Sequence, residues 1–223
     1  TSFNAGFGQA FHAPTFNDLY YPPAGAYQPN PNLKPETSQS FELGAAGYYT
    51  GLNWSLQAYR TMIKDLIDGY HCNTDYTFCT PENISQARLE GTELSVTKST
   101  DRFSTSLNYT FQNPKTLEEG SNYNKTLIRR ARQSGRISIG YSFDHAQAST
   151  NINIVGPRFS NIANTVRMGG YTTIDLLGSI PLSPDFSIDA KITNALDRQY
   201  ETVKSYNQEG RGFYLTLRYQ PKK

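Results

Sequence analysis

Apolar and polar residues alternate at every second position over long segments of this chain, and this alternation restricts its fold more than any other feature. Near the C-terminal end, Phe213, Leu215 and Leu217 alternate with Tyr214 and Thr216. Successive side chains of a β-strand point to opposite faces of the sheet, so each segment has one apolar and one polar face. Ten such strands are predicted, at residues 1–8, 37–49, 52–67, 84–98, 103–112, 136–143, 146–155, 170–180, 186–192 and 213–219.

The connections between these strands alternate between short turns and long polar loops. Short turns are predicted at residues 50–51, 99–101, 144–145 and 181–185, and long loops at residues 11–35, 68–83, 113–132, 156–168 and 194–210. Transmembrane β-barrels of the outer membrane have this asymmetry, with short turns on the periplasmic side and long loops outside. Both ends of the chain are accordingly predicted to face the periplasm.

The composition is compatible with a barrel wall in the bacterial outer membrane. Apolar residues make up 37% of the 223 residues, and no run approaches the roughly 18 consecutive apolar residues of a membrane-spanning helix. A barrel needs apolar residues only at alternate positions, where they meet membrane lipid. The 16 tyrosines and 12 phenylalanines suit the aromatic girdles at the two membrane interfaces. The predicted fold class is therefore an all-β, antiparallel transmembrane β-barrel.

A soluble β-sandwich binding module is the alternative fold, because it too consists of alternating strands around an aromatic core. Strand length favours the barrel. Many of the predicted strands have about ten residues or more, as a tilted membrane strand requires, whereas strands of globular proteins usually have about five or six.

The reactive residues argue against an enzyme and against a nucleic-acid-binding protein. The net charge is only +2 and the basic residues are scattered, which does not favour a nucleic-acid partner. His12, His71 and His145 lie far apart in two loops and a turn, so the sequence contains no metal-spaced cluster and no nucleophile elbow. We predict no catalytic residue, no metal ion and no cofactor.

The two cysteines of the chain, Cys72 and Cys79, fall within a single predicted outer loop. In an oxidising compartment such a pair is expected to form a local disulfide that stiffens the loop. Two free thiols, or a weak metal site that includes His71, are the alternatives.

Three segments resemble the TonB-dependent outer-membrane transporters. They are FHAPT at residues 11–15, NPNLKPE at residues 30–36 and ITNALDRQYETV at residues 192–203, the last being similar to that family's penultimate-strand signature. The resemblance implies a large barrel that imports scarce nutrients with energy from the TonB complex of the inner membrane. Such a barrel has about 22 strands around a plug. Residues 1–223 are therefore expected to be the C-terminal part of the barrel, without the plug domain.

Within that family, several segments are similar to the cobalamin (vitamin B12) transporters: DLID at residues 65–68, LIRRARQ at 127–133, VRMGG at 166–170, and YETV at 200–203 followed by Gly210 and Arg211. The resemblance implies cobalamin, or another large scarce nutrient, as the ligand. Arginine donors and aromatic surfaces suit the amides, the phosphate and the ring face of a corrinoid. The ligand-binding residues that the resemblance implies are Tyr20, Tyr21, Arg129, Arg158, Phe159 and Asn161.

Ferric siderophores and haem are the two alternative ligands. Ferric siderophores are the stronger alternative, because their receptors in this family use the same tyrosine and arginine chemistry. A haem receptor would be expected to have a histidine between the first two segments. None lies between Pro14 and Asn30, which argues against haem unless His12 substitutes. For Arg129, Arg130 and Arg132, the alternative to ligand contact is a basic loop that faces solvent or lipopolysaccharide.

Overall fold

A computed structural model describes residues 1–75 and 77–221 of the chain. Nearly all of the regular structure in these residues is β-strand. The strands are β1 (Ser2–His12), β2 (Glu36–Tyr49), β3 (Leu52–Cys72), β4 (Cys79–Ser99), β5 (Phe103–Gln112), β6 (Lys115–Thr116), β7 (Gln133–Ser142), β8 (Gln147–Val155), β9 (Arg158–Phe159), β10 (Arg167–Met168), β11 (Tyr171–Pro181), β12 (Phe186–Thr193), β13 (Glu201–Val203), β14 (Tyr206–Asn207) and β15 (Gly212–Tyr219), and the short helix is α1 (Phe16–Tyr20). None of the helical structure in the described residues is long and apolar enough to cross a membrane.

Ten of these strands follow one another in a single antiparallel sheet, in the order β1-β2-β3-β4-β5-β7-β8-β11-β12-β15. Each long strand pairs with the next long strand along the chain, as in the wall of an up-and-down barrel. The ten strands correspond one to one with the ten predicted segments, so the alternation identified the architecture. The short strands lie in the outer loops, which comprise residues 13–35, 73–78, 113–132, 156–170 and 194–211 and are numbered first to fifth.

The strand register gives the sheet one apolar face. Ile152 on β8 lies opposite Ile137 on β7 and opposite Ile174 on β11, so three isoleucines form a row across three strands. On β1 and β2, the rings of Phe7 and Phe41 pack with their centroids 4.9 Å apart. Large apolar side chains that are exposed on this face include Phe3, Leu43, Leu56, Leu176, Leu215 and Leu217. This face suits contact with lipid.

The opposite face carries polar side chains that bond to one another across the strands. Asp189 on β12 accepts a hydrogen bond from the Ser179 hydroxyl at 2.6 Å and lies 3.0 Å from the Arg218 guanidinium on β15. On β2 and β3, the Gln57 side chain donates to the Glu42 carboxylate at 2.8 Å. Glu42, Asp189 and Arg218 are thereby kept off the lipid face, where a charge would be costly.

The β3–β4 hairpin extends farther than the sequence predicts. The sequence predicts a long loop over residues 68–83, and this boundary is wrong: β3 continues to Cys72 and β4 begins at Cys79, so both strands have 21 residues. Outside the membrane neither face of a strand meets lipid. The apolar–polar alternation is then no longer needed, although the backbone pairing continues. The polar composition of the segment therefore resembled a loop.

A small hydrophobic core lies where the outer ends of β3 and β4 meet the third and fourth outer loops. Its buried members are Ile63, Leu66, Ile84, Ala87 and Leu127, and Leu89 and Ile162 pack against them. Leu127 and Ile162 belong to the two loops, whereas the other members belong to the strands. This core fixes the two loops relative to the barrel wall.

Candidate ligand-binding site in the outer loops

The five outer loops, the second of which is the tip of the β3–β4 hairpin, line an open cleft of about 1260 Å³. Its walls come from residues 17–27 of the first loop, residues 71–74 and 79 of the hairpin, residues 128–129 of the third loop, residues 160–162 of the fourth and residues 203–206 of the fifth. Small-molecule pockets usually have volumes of about 300–1,000 Å³. The cleft therefore suits a ligand that is large for a small molecule.

The first loop brings two tyrosines to the cleft. It begins with a capping box on α1, in which the Thr15 hydroxyl accepts a hydrogen bond from the Asp18 N–H (3.2 Å) and the Asp18 carboxylate accepts one from the Thr15 N–H (3.1 Å). The Tyr27 hydroxyl donates to the Asn17 carbonyl at 2.6 Å, which closes the loop back on the helix. The ring centroids of Tyr21 and Tyr27 lie 6.0 Å apart. We call this pair the aromatic wall of the cleft.

The NPNLKPE segment holds the first loop onto the β3–β4 hairpin. The Asn83 side-chain nitrogen donates to the carbonyls of Lys34 (3.0 Å) and Asp65 (2.6 Å), and its side-chain oxygen accepts from the Lys34 N–H (2.9 Å). The Asn30 side chain donates to the Pro81 carbonyl at 3.0 Å. These contacts give the segment a structural role, because they fix the loop that carries the aromatic wall.

A disulfide between Cys72 and Cys79 closes the tip of the hairpin, as predicted. The Cys79 N–H donates to the Ala26 carbonyl at 2.6 Å, and the Cys79 carbonyl accepts from the Gln28 N–H at 2.9 Å. The tip is therefore joined to the first loop next to the aromatic wall. Both cysteines line the cleft, so the bond stiffens one side of it.

Replacing both cysteines with serine is expected to loosen this side of the cleft and leave the barrel wall intact. Closing a loop this short constrains the chain by about 2 kcal/mol. About 1.4 kcal/mol is a factor of ten in an equilibrium constant. Exchange of the backbone amides at positions 79 and 28 should therefore become roughly thirtyfold faster. Hydrogen-exchange mass spectrometry measures this, after mass analysis with and without reductant has confirmed the bond. Peptides from β7 and β8 are the internal control, and unchanged exchange at the tip would contradict the expectation.

Arg129 lies at a strained position of the third loop. Its backbone φ is +58°, in a region that costs a non-glycine residue about 1–3 kcal/mol. Neighbouring contacts hold it there: the Arg129 N–H donates to the Phe159 carbonyl at 2.8 Å. The Thr126 N–H donates to the Asn164 side-chain oxygen (2.7 Å), and the Asn164 side-chain nitrogen donates to the Thr126 carbonyl (2.8 Å). The loop conformation thus sets Arg129 at the cleft.

The structure brings together half of the predicted ligand-binding residues. Those that line the cleft are Tyr21, Arg129 and Asn161. Tyr20 does not line it: this residue is exposed on α1, and its ring packs against Phe16 with centroids 5.3 Å apart. Arg158 and Phe159 line a separate cavity.

Two of the predicted residues hold the loops in place. Arg158 is only 5% exposed; its guanidinium donates to the backbone carbonyls of Glu201 and Thr202 and lies 5.4 Å from the centre of the Tyr171 ring. The Asn161 side-chain oxygen accepts from the N–H groups of Thr165 (3.1 Å) and Val166 (2.9 Å). Ligand contact by these two residues stays a prediction.

Several residues that line the cleft were not selected from the sequence: Asn17, Tyr27, His71, Ile128, Lys204 and Tyr206. Tyr206 is 69% exposed, and an aromatic residue inside a long polar loop is a signal that could have identified it. His71 lies 3.8 Å from the Glu82 carboxylate. Loops have no period from which to read side-chain directions, so the others could be placed only by the folded structure.

Residues 1–195 match the family model described as TonB dependent receptor-like, beta-barrel. The chain belongs to this family. TonB-dependent receptors are barrels of the bacterial outer membrane and are not enzymes, which confirms the predicted fold class and localisation.

Two vitamin B12 transporters are similar to this chain. The vitamin B12 transporter BtuB of Photobacterium profundum is 32% identical over 224 residues, covering 98% of the chain and 35% of that protein. BtuB of Vibrio vulnificus is 34% identical over 223 residues, with the same coverage of 98% and 35%. The chain thus spans about 35% of the length of these relatives.

Solved structures share the fold. The copper transporter OprC superposes with a TM-score of 0.78 at 18% sequence identity, covering 97% of the chain and 36% of that structure. A mutant of the ferric enterobactin receptor PfeA from Pseudomonas aeruginosa superposes with a TM-score of 0.72 at 20% identity, covering 97% and 38%. At these identities, the likeness concerns the fold alone.

Proposed function

We propose that this chain forms wall strands and ligand-binding outer loops of a TonB-dependent transporter that imports cobalamin. The observation that carries the proposal is the cleft of about 1260 Å³, which all five outer loops line. Its volume is larger than that of most small-molecule pockets. Support also comes from the two similar proteins at 32% and 34% identity, which are vitamin B12 transporters.

The side chains of the cleft suit the chemistry of a corrinoid. Arg129 and Lys204 supply positive charge, and no acidic residue is found among the described residues that line the cleft. Guanidinium and ammonium groups bind a phosphate or an amide oxygen. The aromatic wall offers ring faces and hydroxyl groups to the broad face of the ligand. The protein would thus act by binding and positioning the ligand, without covalent chemistry.

The sheet needs further strands to complete a barrel. Within the described residues, β1 and β15 each pair on one side only. Lipid offers no hydrogen bonds to unpaired backbone groups, so neither edge is tolerated in a membrane. We therefore propose that both edges pair with other strands of a larger barrel, of which this chain is the C-terminal part. In this arrangement the polar face borders the interior, where a plug domain and its TonB partner would complete transport.

Equilibrium binding of cobalamin to the full-length protein in detergent tests the proposal, with native protein compared with Arg129→Ala. A hydrogen bond to a charged group contributes about 1.5–3 kcal/mol, and about 1.4 kcal/mol is a factor of ten in affinity. The substitution is therefore expected to weaken cobalamin binding by about tenfold to a hundredfold.

A matched control and a competitor make the binding result specific. Arg102→Ala removes the same charge at the opposite end of the barrel, where Arg102 pairs with Asp144 at 2.8 Å, and should leave cobalamin affinity unchanged. A ferric siderophore is the competitor, since the positive charge and tyrosines of the cleft also suit an anionic iron chelate. Binding of the siderophore without binding of cobalamin would keep the transporter fold and overturn the ligand.

A further inference from the structure

A second cavity, of about 560 Å³, lies where the third and fourth outer loops meet the outer ends of β5 and β7. It shares no lining residue with the cleft. Four arginines line it: Arg130, Arg132, Arg158 and Arg167. We call it the arginine cavity.

Among the described residues, none of the four arginines of the arginine cavity forms an ion pair with a carboxylate. No acidic residue occurs among its described lining residues. The ion pairs found between described residues involve other arginines or histidines, namely Arg88, Arg102, Arg218, His12 and His71. Like charges repel. An anion bound among the four guanidinium groups would relieve this repulsion.

Arg158 supplies an independent sign of a missing partner. This side chain is 5% exposed, and its Nη1 is a buried donor that has no hydrogen-bond partner among the described residues. The other two nitrogens of the guanidinium donate to the carbonyls of Thr202 and Glu201. A buried donor on a charged group is costly to leave unpaired, and an anionic oxygen is the acceptor that suits it best.

The positive field extends beyond the arginine cavity. Burial, and then the positive charges of Arg132, Arg88 and Lys125, lower the pKa of Lys115 on β6. The Arg132 guanidinium lies 5.6 Å from the centre of the Phe111 ring, a contact that positions it without neutralising its charge. A ligand at this site therefore meets several cations at once.

We propose that the arginine cavity binds a phosphate group. The planar guanidinium fork matches two phosphate oxygens at a time, and a phosphate monoester carries more negative charge than a single carboxylate. Two sources offer this chemistry at the outer ends of the strands. One is the headgroup of a phosphorylated lipid in the outer leaflet, and the other is a soluble phosphate compound.

The experiment compares the full-length native protein in detergent with the double variant Arg132→Gln and Arg167→Gln. Both arginines are exposed, so the changes should not impair folding. The probes are lipid A with two phosphates, the same lipid with its phosphates removed, and inorganic pyrophosphate, each titrated and followed by native mass spectrometry. The native protein is expected to bind a phosphate-bearing probe, and the double variant should bind it at least tenfold more weakly.

The three probes distinguish the source of the phosphate. If lipid A binds only with its phosphates and pyrophosphate does not displace it, the ligand is a lipid headgroup. If pyrophosphate itself binds and displaces lipid A, the ligand is a soluble phosphate compound. A control pair, Arg102→Gln and Arg198→Gln, removes two charges elsewhere and should bind like the native protein. Equal affinity of the native protein and the Arg132, Arg167 variant would overturn the proposal. So would equal binding of the phosphate-free lipid, or no binding of any probe.

Discussion

Replacing Leu127 with alanine is expected to destabilise the outer-loop cluster by about 2–5 kcal/mol, the usual cost of such a change in a well-packed core. Leu127 is 0% exposed and packs in the cluster that contains Ile63, Leu66 and Ile84. The substitution leaves a cavity, because the strands on the other side are held by their backbone pairing and cannot move in to fill it.

The loss at Leu127 should also reach the ligand. Arg129, with its strained φ of +58°, lies two residues farther along the same loop, and the Leu127 N–H donates to the Pro114 carbonyl at 3.1 Å. A loop that loses its buried anchor no longer holds Arg129 at the cleft. The affinity of the full-length protein for cobalamin is therefore expected to fall, although no atom that contacts the ligand has been changed.

Hydrogen exchange over residues 113–132 and cobalamin titration measure the two effects of Leu127→Ala. Leu196→Ala, at a position that is 66% exposed in the fifth loop, is the matched control and should change stability by no more than about 0.5 kcal/mol. Leu127→Met should restore most of the stability, because it nearly conserves volume. If the amides of residues 113–132 exchanged at the same rate in the Leu127→Ala and Leu196→Ala variants, Leu127 would not be the anchor of the loop.

The barrel wall could be predicted from the sequence because the membrane imposes a rule on every second residue. Ile137, Ile152 and Ile174 come from three separate segments, yet each falls on the apolar phase of its own strand. The register then places them side by side. The rule applies only at membrane depth. Above it, the β3–β4 hairpin continues to the Cys72–Cys79 disulfide with no alternation to mark it, and the predicted loop there was wrong.

The candidate site was predicted less completely, because contacts between distant residues shape it. Asn83 holds Lys34 across 49 positions, and Arg158 reaches the Thr202 carbonyl across 44. Residue type alone could not show that Arg158 is buried against the fifth loop while Arg129 is exposed at the cleft. The family resemblance points to the third and fourth outer loops for ligand binding, but only the folded chain separates the cleft from the arginine cavity.

Replacing Ile152 with arginine is expected to destabilise the barrel in a membrane by about 2–4 kcal/mol, the cost of an arginine on the lipid face near the bilayer midplane. Ile152 lies near the middle of β8, between Ile137 and Ile174 on the neighbouring strands. The new guanidinium would have apolar partners on both sides and lipid in front of it. It can reach water only by distorting the strand or the bilayer.

Asn151→Arg is the matched control for Ile152→Arg, because it places the same side chain one residue away on the opposite face of the sheet. There Asn151 lies opposite Ser138 and Asp175, so the arginine meets a hydroxyl and a carboxylate. Folding of the full-length protein into lipid vesicles, measured by denaturant titration, compares the two variants. If Asn151→Arg destabilised the protein as much as Ile152→Arg, both faces would exclude charge, and the face that carries Ile137, Ile152 and Ile174 would not be the lipid face.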